Sequence, residues 1–224
     1  MPTDHIRQRA GCNVPWGSME EMPGSVPPFV THYFAPPRRP FLNLSDLPAH
    51  QLAEVMGDLA QERLNGATAR VFGPRYMELR LRTEMKMRQL FIAAGGLPER
   101  TSPHYFVLGT SRWFRGLAAN MKCIERNLCD LPEDATSFTY PDSFTAMGLG
   151  AEYGVHHQRR PYHEQVFRIS QLSDVVGRYG MPPDEVGDYD GYANKPFEKY
   201  IEVQLWSDDP LKDVPELQAA DPVR

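Results

Sequence analysis

Eight residues near the C-terminal end, KYIEVQLW at 199–206, constrain the fold more than any other stretch of the chain. Side chains alternate between the two faces of a strand, so Ile201, Val203 and Leu205 lie together on one of them. A face of large aliphatic residues has to be covered on folding, so this strand belongs in a sheet with a core packed against it. The opposite face carries Tyr200, Glu202, Gln204 and Trp206. Two readings fit it. Two aromatic rings with a carboxylate and an amide suit a cleft wall that stacks a planar ring and accepts a hydrogen bond from a hydroxyl. They equally suit a half-solvated outer face.

The remaining elements follow from periodicity and from turn residues. Residues 1–28, with WGSMEEMPGSVPP, hold no sustained period and read as an irregular arm, leaving 29–224 as a single domain. FVTHYF at 29–34 is the first strand, stopped by APPRRP because proline has no donor for a ladder. In SDLPAHQLAEVMGDLAQERLNG, Leu52, Val55, Met56, Leu59 and Ala60 recur at helical spacing, with Ser45 or Asp46 as the expected cap and Gly66 as the stop. PRYMELRLRTEMKMRQLFIAAGG is a second helix, with Glu78–Arg82 and Arg80–Glu84 as i,i+4 pairs. Strands are expected at HYFVLG (104–109), NMKCIERNL (120–128), SFTY and YHEQVFRI, with a helical turn from Ser111 and a turn at Pro141-Asp142. In SQLSDVVGRYG, Leu172, Val175, Val176 and Tyr179 share one helical face, and a polar loop spans 181–196. Strands and helices do not alternate strictly, and both long helices fall between the first two strands. The expected class is α+β, with a mixed or antiparallel sheet core.

Composition narrows the setting. No stretch approaches the roughly 18 consecutive apolar residues of a membrane span, and MPTDHIRQRAGCNVPWG has no apolar run of the signal-peptide kind. Cys12, Cys123 and Cys129 stand in no Cys-x-x-Cys spacing. A reduced, cytoplasmic protein with no membrane partner is the expectation. VHHQRRPYH places His156, His157 and His163 upstream of Asp188 and Asp190, but no pair has the i,i+4 spacing of His-Glu-x-x-His, so no metal is expected. There is no Gly-rich phosphate loop and no Gly-x-Ser-x-Gly elbow. The net charge is −5, but the first 120 residues hold 14 Lys/Arg against 10 Asp/Glu and the rest 10 against 19. Arg63, Arg70, Arg75, Arg80, Arg82, Lys86 and Arg88 concentrate positive charge that could draw in a phosphate-bearing ligand or nucleic acid; the plain alternative is a solvated helix face.

Four segments stand in a telling order: VTHYF, then SPHYFVLGTSRWF, then SFTYPDSFTAM, then YIEVQLWSDDPLKDVPEL. This order resembles the ADP-ribosyltransferase fold, most nearly the DNA-modifying toxins of the DarT type. In that family a Thr-His strand opens the fold and a Pro-aromatic-Tyr-Phe strand leads to a catalytic arginine. A Thr-Asp segment comes next, and a late Glu-Val strand carries the catalytic glutamate. The resemblance implies an enzyme that uses NAD as substrate and passes ADP-ribose to a macromolecule such as a nucleic acid. It implies Glu202 and Arg112 as catalytic residues, and Thr31, His32, Tyr105 and Phe106 as NAD-binding residues, with Thr139 and Asp142 in the third segment. Glu202 would stabilise charge on the ribose, His32 would bond the adenosine ribose, Arg112 would orient phosphate or the acceptor, and Tyr105 would stack on nicotinamide.

The chain departs from the family pattern in three places. The arginine follows the Tyr-Phe strand at a longer interval. The helix from Pro74 to Gly96 looks like an insertion. The late strand reads Glu-Val-Gln, whereas arginine-modifying relatives place the glutamate two residues after a Gln or Glu. Each named residue also has an ordinary structural role open to it: His32 as a satisfied strand histidine, Arg112 as a surface cation packed beside Trp113, Tyr105 as core and Asp142 as a turn residue. The alternative function is a non-catalytic interaction or regulatory domain that binds a protein or nucleic-acid partner.

Overall fold

The computed structural model describes residues 25–70, 72–148, 159–184 and 199–218. Most of the N-terminal arm and much of the 181–196 loop lie outside the described residues. The first strand, β1 (Phe29–Phe34), is the β-branched and aromatic run of the sequence. A 3-10 turn at Leu44–Asp46 and two helices, α1 (Ala49–Leu64) and α2 (Tyr76–Ala93), come before β2 (His104–Leu108). Ser45 and Asp46 sit inside the 3-10 turn and do not cap α1, which starts after Pro48 without a side-chain cap. Asn43 caps the turn instead, its Oδ1 accepting the Ser45 N–H at 3.2 Å. The one-turn helix α3 (Arg112–Arg115) follows, then β3 (Lys122–Asn127), β4 (Thr136–Thr139) and α4 (Ser143–Ala146). The chain continues through β5 (Phe167–Arg168), α5 (Leu172–Tyr179), β6 (Glu202–Leu205) and α6 (Pro215–Gln218).

The strand expected over YHEQVFRI shrinks to the two residues of β5. Glu164 takes a φ of 59° and donates its N–H to the Ala146 carbonyl, which breaks the extended run before it reaches Phe167.

The fold is α+β. Its sheet runs β3-β1-β2-β6-β4-β5, and every pairing is antiparallel. The last strand in the chain therefore lies inside the sheet, with Val107 and Thr139 opposite Glu202. Ile201, Val203 and Leu205 join Val30, Phe106, Leu108 and Phe138 in the main core, which α5 covers through Leu172, Val175 and Val176. Each such side chain contributes roughly 1.5–3 kcal/mol when fully buried. The opposite sheet face is covered by α2, whose Leu79, Met87 and Phe91 pack with Trp206 and Met147. These two layers fix the register of β6, because a slip of one residue would turn its aliphatic set away from the main core. None of the described helices is long and apolar enough to cross a membrane.

Candidate functional site

The site opens where β1 and β2 part. Their ladder holds Val30 opposite Leu108 and Thr31 opposite Val107, and then the strands diverge. The His32 ring bridges the gap: Nε2 accepts the Phe41 N–H at 2.9 Å, so Nδ1 carries the proton and donates to the Tyr105 carbonyl at 2.9 Å. Burial, with His104 nearby, pulls the His32 pKa down to about 4 against the pull of the Tyr105 carbonyl. The neutral ring is thus a fixed strut, stacked on Phe41 at 4.0 Å.

Beside it lies a cavity of about 230 Å³, walled by β1, β2, β6, α2, α4 and the segment after β1. Glu202 forms part of its lining and is only 9 % exposed. Its Oε1 accepts from Gln204 Nε2 at 3.3 Å, and the Ser143 side chain forms a second hydrogen bond to the carboxylate. No Lys or Arg pairs with it among the described residues. Burial first, and Asp142 second, push the Glu202 carboxyl up to about 7, against Ser143, Gln204 and Arg80. Asp142 is the N-cap of α4, where its Oδ1 accepts the Thr145 N–H at 3.1 Å; burial raises its pKa as well. Asp142 therefore lies near enough to Glu202 to make its ionisation costlier, while burial is what raises Asp142 itself.

Tyr105 shares the Glu202 face, since it stands opposite Gln204 in the register. Its hydroxyl donates to Glu84 Oε1 at 2.8 Å, and the Arg80 guanidinium lies over its ring at 4.7 Å. Burial, then the Glu84 and Glu202 carboxylates, hold the phenol protonated well above its usual range in spite of Arg80. Arg80 itself pairs with Glu84 at 3.0 Å and donates to Tyr76 Oη, Asn43 Oδ1 and Ser45 Oγ at 2.9, 2.8 and 3.1 Å. Arg38, Arg39 and Arg70 stand along the rest of the cavity wall. Of these, Arg38 is held in a two-bond pair with Glu62, and Arg70 lies 5.0 Å over the Phe72 ring.

The residues singled out from the sequence meet only in part. Glu202, Tyr105, Thr31, His32 and Phe106 all line this cavity. Thr31 faces the Glu202 side but gives its hydroxyl hydrogen to the Gly109 carbonyl at 2.5 Å. His32 and Phe106 belong to the opposite, core side of their strands, and both nitrogens of His32 are already bonded. Arg112 is exposed on α3, outside the cavity lining, with its backbone N–H held by Asp184 Oδ1 at 2.6 Å. Thr139 is buried behind Glu202 and accepts from Gln204 Nε2 at 3.0 Å.

The basic set does not form one face. Arg75 and Arg82 pair with Glu78, Lys86 pairs with Glu164, and Arg88 donates to the Pro98 and Arg100 carbonyls. Arg63 is exposed, while Arg70 and Arg80 reach the cavity. His163 is buried, its Nδ1 accepting the Arg160 N–H at 3.2 Å; His156, His157, Asp188 and Asp190 lie outside the described residues. Among the described residues no three His, Cys, Asp or Glu side chains gather as metal ligands would.

Sequence reading missed Tyr76 and Ser143 as lining of this cavity and Glu84 as the buried partner of Arg80, which it counted only within the basic set. Only the i,i+4 spacing of Arg80 and Glu84 hinted at that pair, and it is equally common on solvated helices. Compared with protein-family models, curated proteins and solved structures, the chain matches none of them.

Proposed function

We propose that this cavity binds NAD and breaks its nicotinamide–ribose bond, passing ADP-ribose to a macromolecular acceptor in the manner of an ADP-ribosyltransferase. Breaking that bond develops positive charge on the ribose, as in glycoside cleavage. A fixed anion in a water-poor site stabilises such charge far better than it would in bulk water. The observation that carries the reading is Glu202: a buried carboxylate, without a cation partner among the described residues, in the wall of an aromatic and arginine-lined cavity. The volume of about 230 Å³ is below the roughly 300–1,000 Å³ of most ligand pockets, so in this reading the cavity takes only nicotinamide and its ribose, with the phosphates outside. In this reading Arg39 and Arg70 serve the phosphates in place of Arg112, and His32 shapes the cavity without touching the ligand. Nucleic acid is the acceptor class to test first, on the strength of the sequence resemblance.

The test is nicotinamide release from NAD, measured beside NAD-dependent thermal stabilisation, with Glu202→Gln as the control. Wild type should release nicotinamide at a rate that climbs as pH passes about 7, where Glu202 ionises. Glu202→Gln should keep NAD-dependent stabilisation but lose roughly 100-fold or more in release. Release unaffected by the substitution would remove Glu202 from the chemistry. Neither release nor stabilisation would leave the interaction-domain reading in its place.

A further inference from the structure

Behind Glu202 runs a polar chain that a sheet interior does not need for packing. Gln204 is 0 % exposed, and so are Ser137 and Trp206. The Trp206 indole N–H donates to Ser137 Oγ at 2.8 Å, and an indole nitrogen can only donate. The Ser137 hydroxyl therefore sends its own hydrogen to Gln204 Oε1, 2.9 Å away. That fixes the amide the other way round, with Nε2 directed to Thr139 Oγ1 at 3.0 Å, the Glu202 carbonyl at 3.1 Å and Glu202 Oε1 at 3.3 Å. Apolar side chains of similar size would fill these positions without a desolvation cost, so a satisfied network here serves orientation more than stability.

We propose that Gln204 is a positioning residue, anchored by Ser137 and Trp206, which holds the Glu202 carboxylate toward the cavity by donating an N–H to Oε1. The proposal rests on the reading of Glu202 as the reacting carboxylate. The other charged and titratable groups that face Glu202 are Asp142 beside α4, Arg80 from α2 and Tyr105, which stands opposite Gln204 on β2. Altering the relay leaves all of these in place. A donor to a carboxylate favours its charged form, so losing that donor raises the pH at which Glu202 titrates.

The experiment is a ¹³C NMR titration of the Glu202 carboxyl in glutamate-labelled protein, assigned with Glu202→Gln, for wild type, Gln204→Met, Ser137→Ala and Trp206→Phe. The midpoint should rise by roughly one pH unit in Gln204→Met, and by less in Ser137→Ala and then Trp206→Phe. An unchanged midpoint in folded Gln204→Met overturns the proposal. If that variant does not fold, an unchanged midpoint in both Ser137→Ala and Trp206→Phe overturns it. The titration is read without NAD, so the two ideas fail separately. A shifted midpoint without nicotinamide release by wild type sinks the transferase reading alone, and release without a shift sinks the relay alone.

Discussion

Burial and the neighbouring Asp142 raise the Glu202 carboxyl from 4.5 to about 7, so between those pH values the folded protein keeps a proton that the unfolded chain has released. Stability from this group is full below 4.5, falls as pH climbs toward 7 and levels off above it. Glu202→Gln removes the loss, because an amide resembles the protonated acid and never ionises. Urea midpoints should show the variant level with wild type near pH 4 and more stable by up to about 3 kcal/mol near pH 8. A difference that stays constant with pH would mean that Glu202 is not held protonated by its surroundings. His32 runs the other way: its folded pKa is lowered from 6.5 to about 4, so its contribution is complete above 6.5 and is lost as pH falls toward 4. The two slopes oppose one another between 4.5 and 6.5, so the substitution, and not the wild-type profile, isolates Glu202. Period-two alternation was enough to place Glu202 opposite the aliphatic face. Its burial was not legible, because Asp142 and Ser143 come from a segment far upstream that no local pattern ties to β6.

Among the elements, α2 was located by its periodicity, while its role in the cavity was hidden by the same periodicity. Charged residues recur along it, and spacing alone cannot say which of them turn inward. Arg75 and Arg82 stay outside with Glu78, whereas Arg80 lies near the buried side that carries Tyr76, Leu79, Thr83, Glu84 and Met87. Arg112 is the converse case: the family resemblance implied it as a catalytic residue, whereas the structure carries it on a one-turn helix, exposed and outside the cavity lining. The inward Arg80–Glu84 pair ties α2 to β2 through Tyr105 and to the 3-10 turn through Ser45, with Glu84 1 % exposed. Arg80→Met leaves that carboxylate buried without its cation, which should cost about 3–5 kcal/mol. Adding Glu84→Gln should recover most of the loss, because the uncompensated charge disappears and an acceptor for Tyr105 remains. Urea denaturation of both single variants and the double variant checks this. Losses that simply add would show that the two side chains do not act as a pair.

At the scale of the whole molecule, the sheet is completed by its last strand. β6 hydrogen-bonds to β2 on one side and β4 on the other, and without it the sheet divides into β3-β1-β2 and β4-β5. Its flanks add further ties: the Leu108 N–H donates to the Ile201 carbonyl, the Trp206 N–H to Ala135, and the Glu99 and Arg100 N–H groups to the Trp206 carbonyl. Strand order was the part of the fold that sequence reading did not reach, because pairings between distant segments leave no mark in the composition of either one. Contacts of such separation also carry a loop-closure cost before they are rewarded, so neither half of the sheet is expected to persist alone. A chain ending before Lys199 should therefore lose its cooperative thermal transition and be cleaved rapidly by protease under conditions where the full chain resists. A synthetic peptide covering 199–218 should restore near-ultraviolet circular dichroism by adding its strand between the two exposed edges. A truncated chain that still melts cooperatively near the full-length midpoint would show that the sheet does not depend on its final strand. The cavity would then need a floor other than the one Glu202 and Gln204 provide.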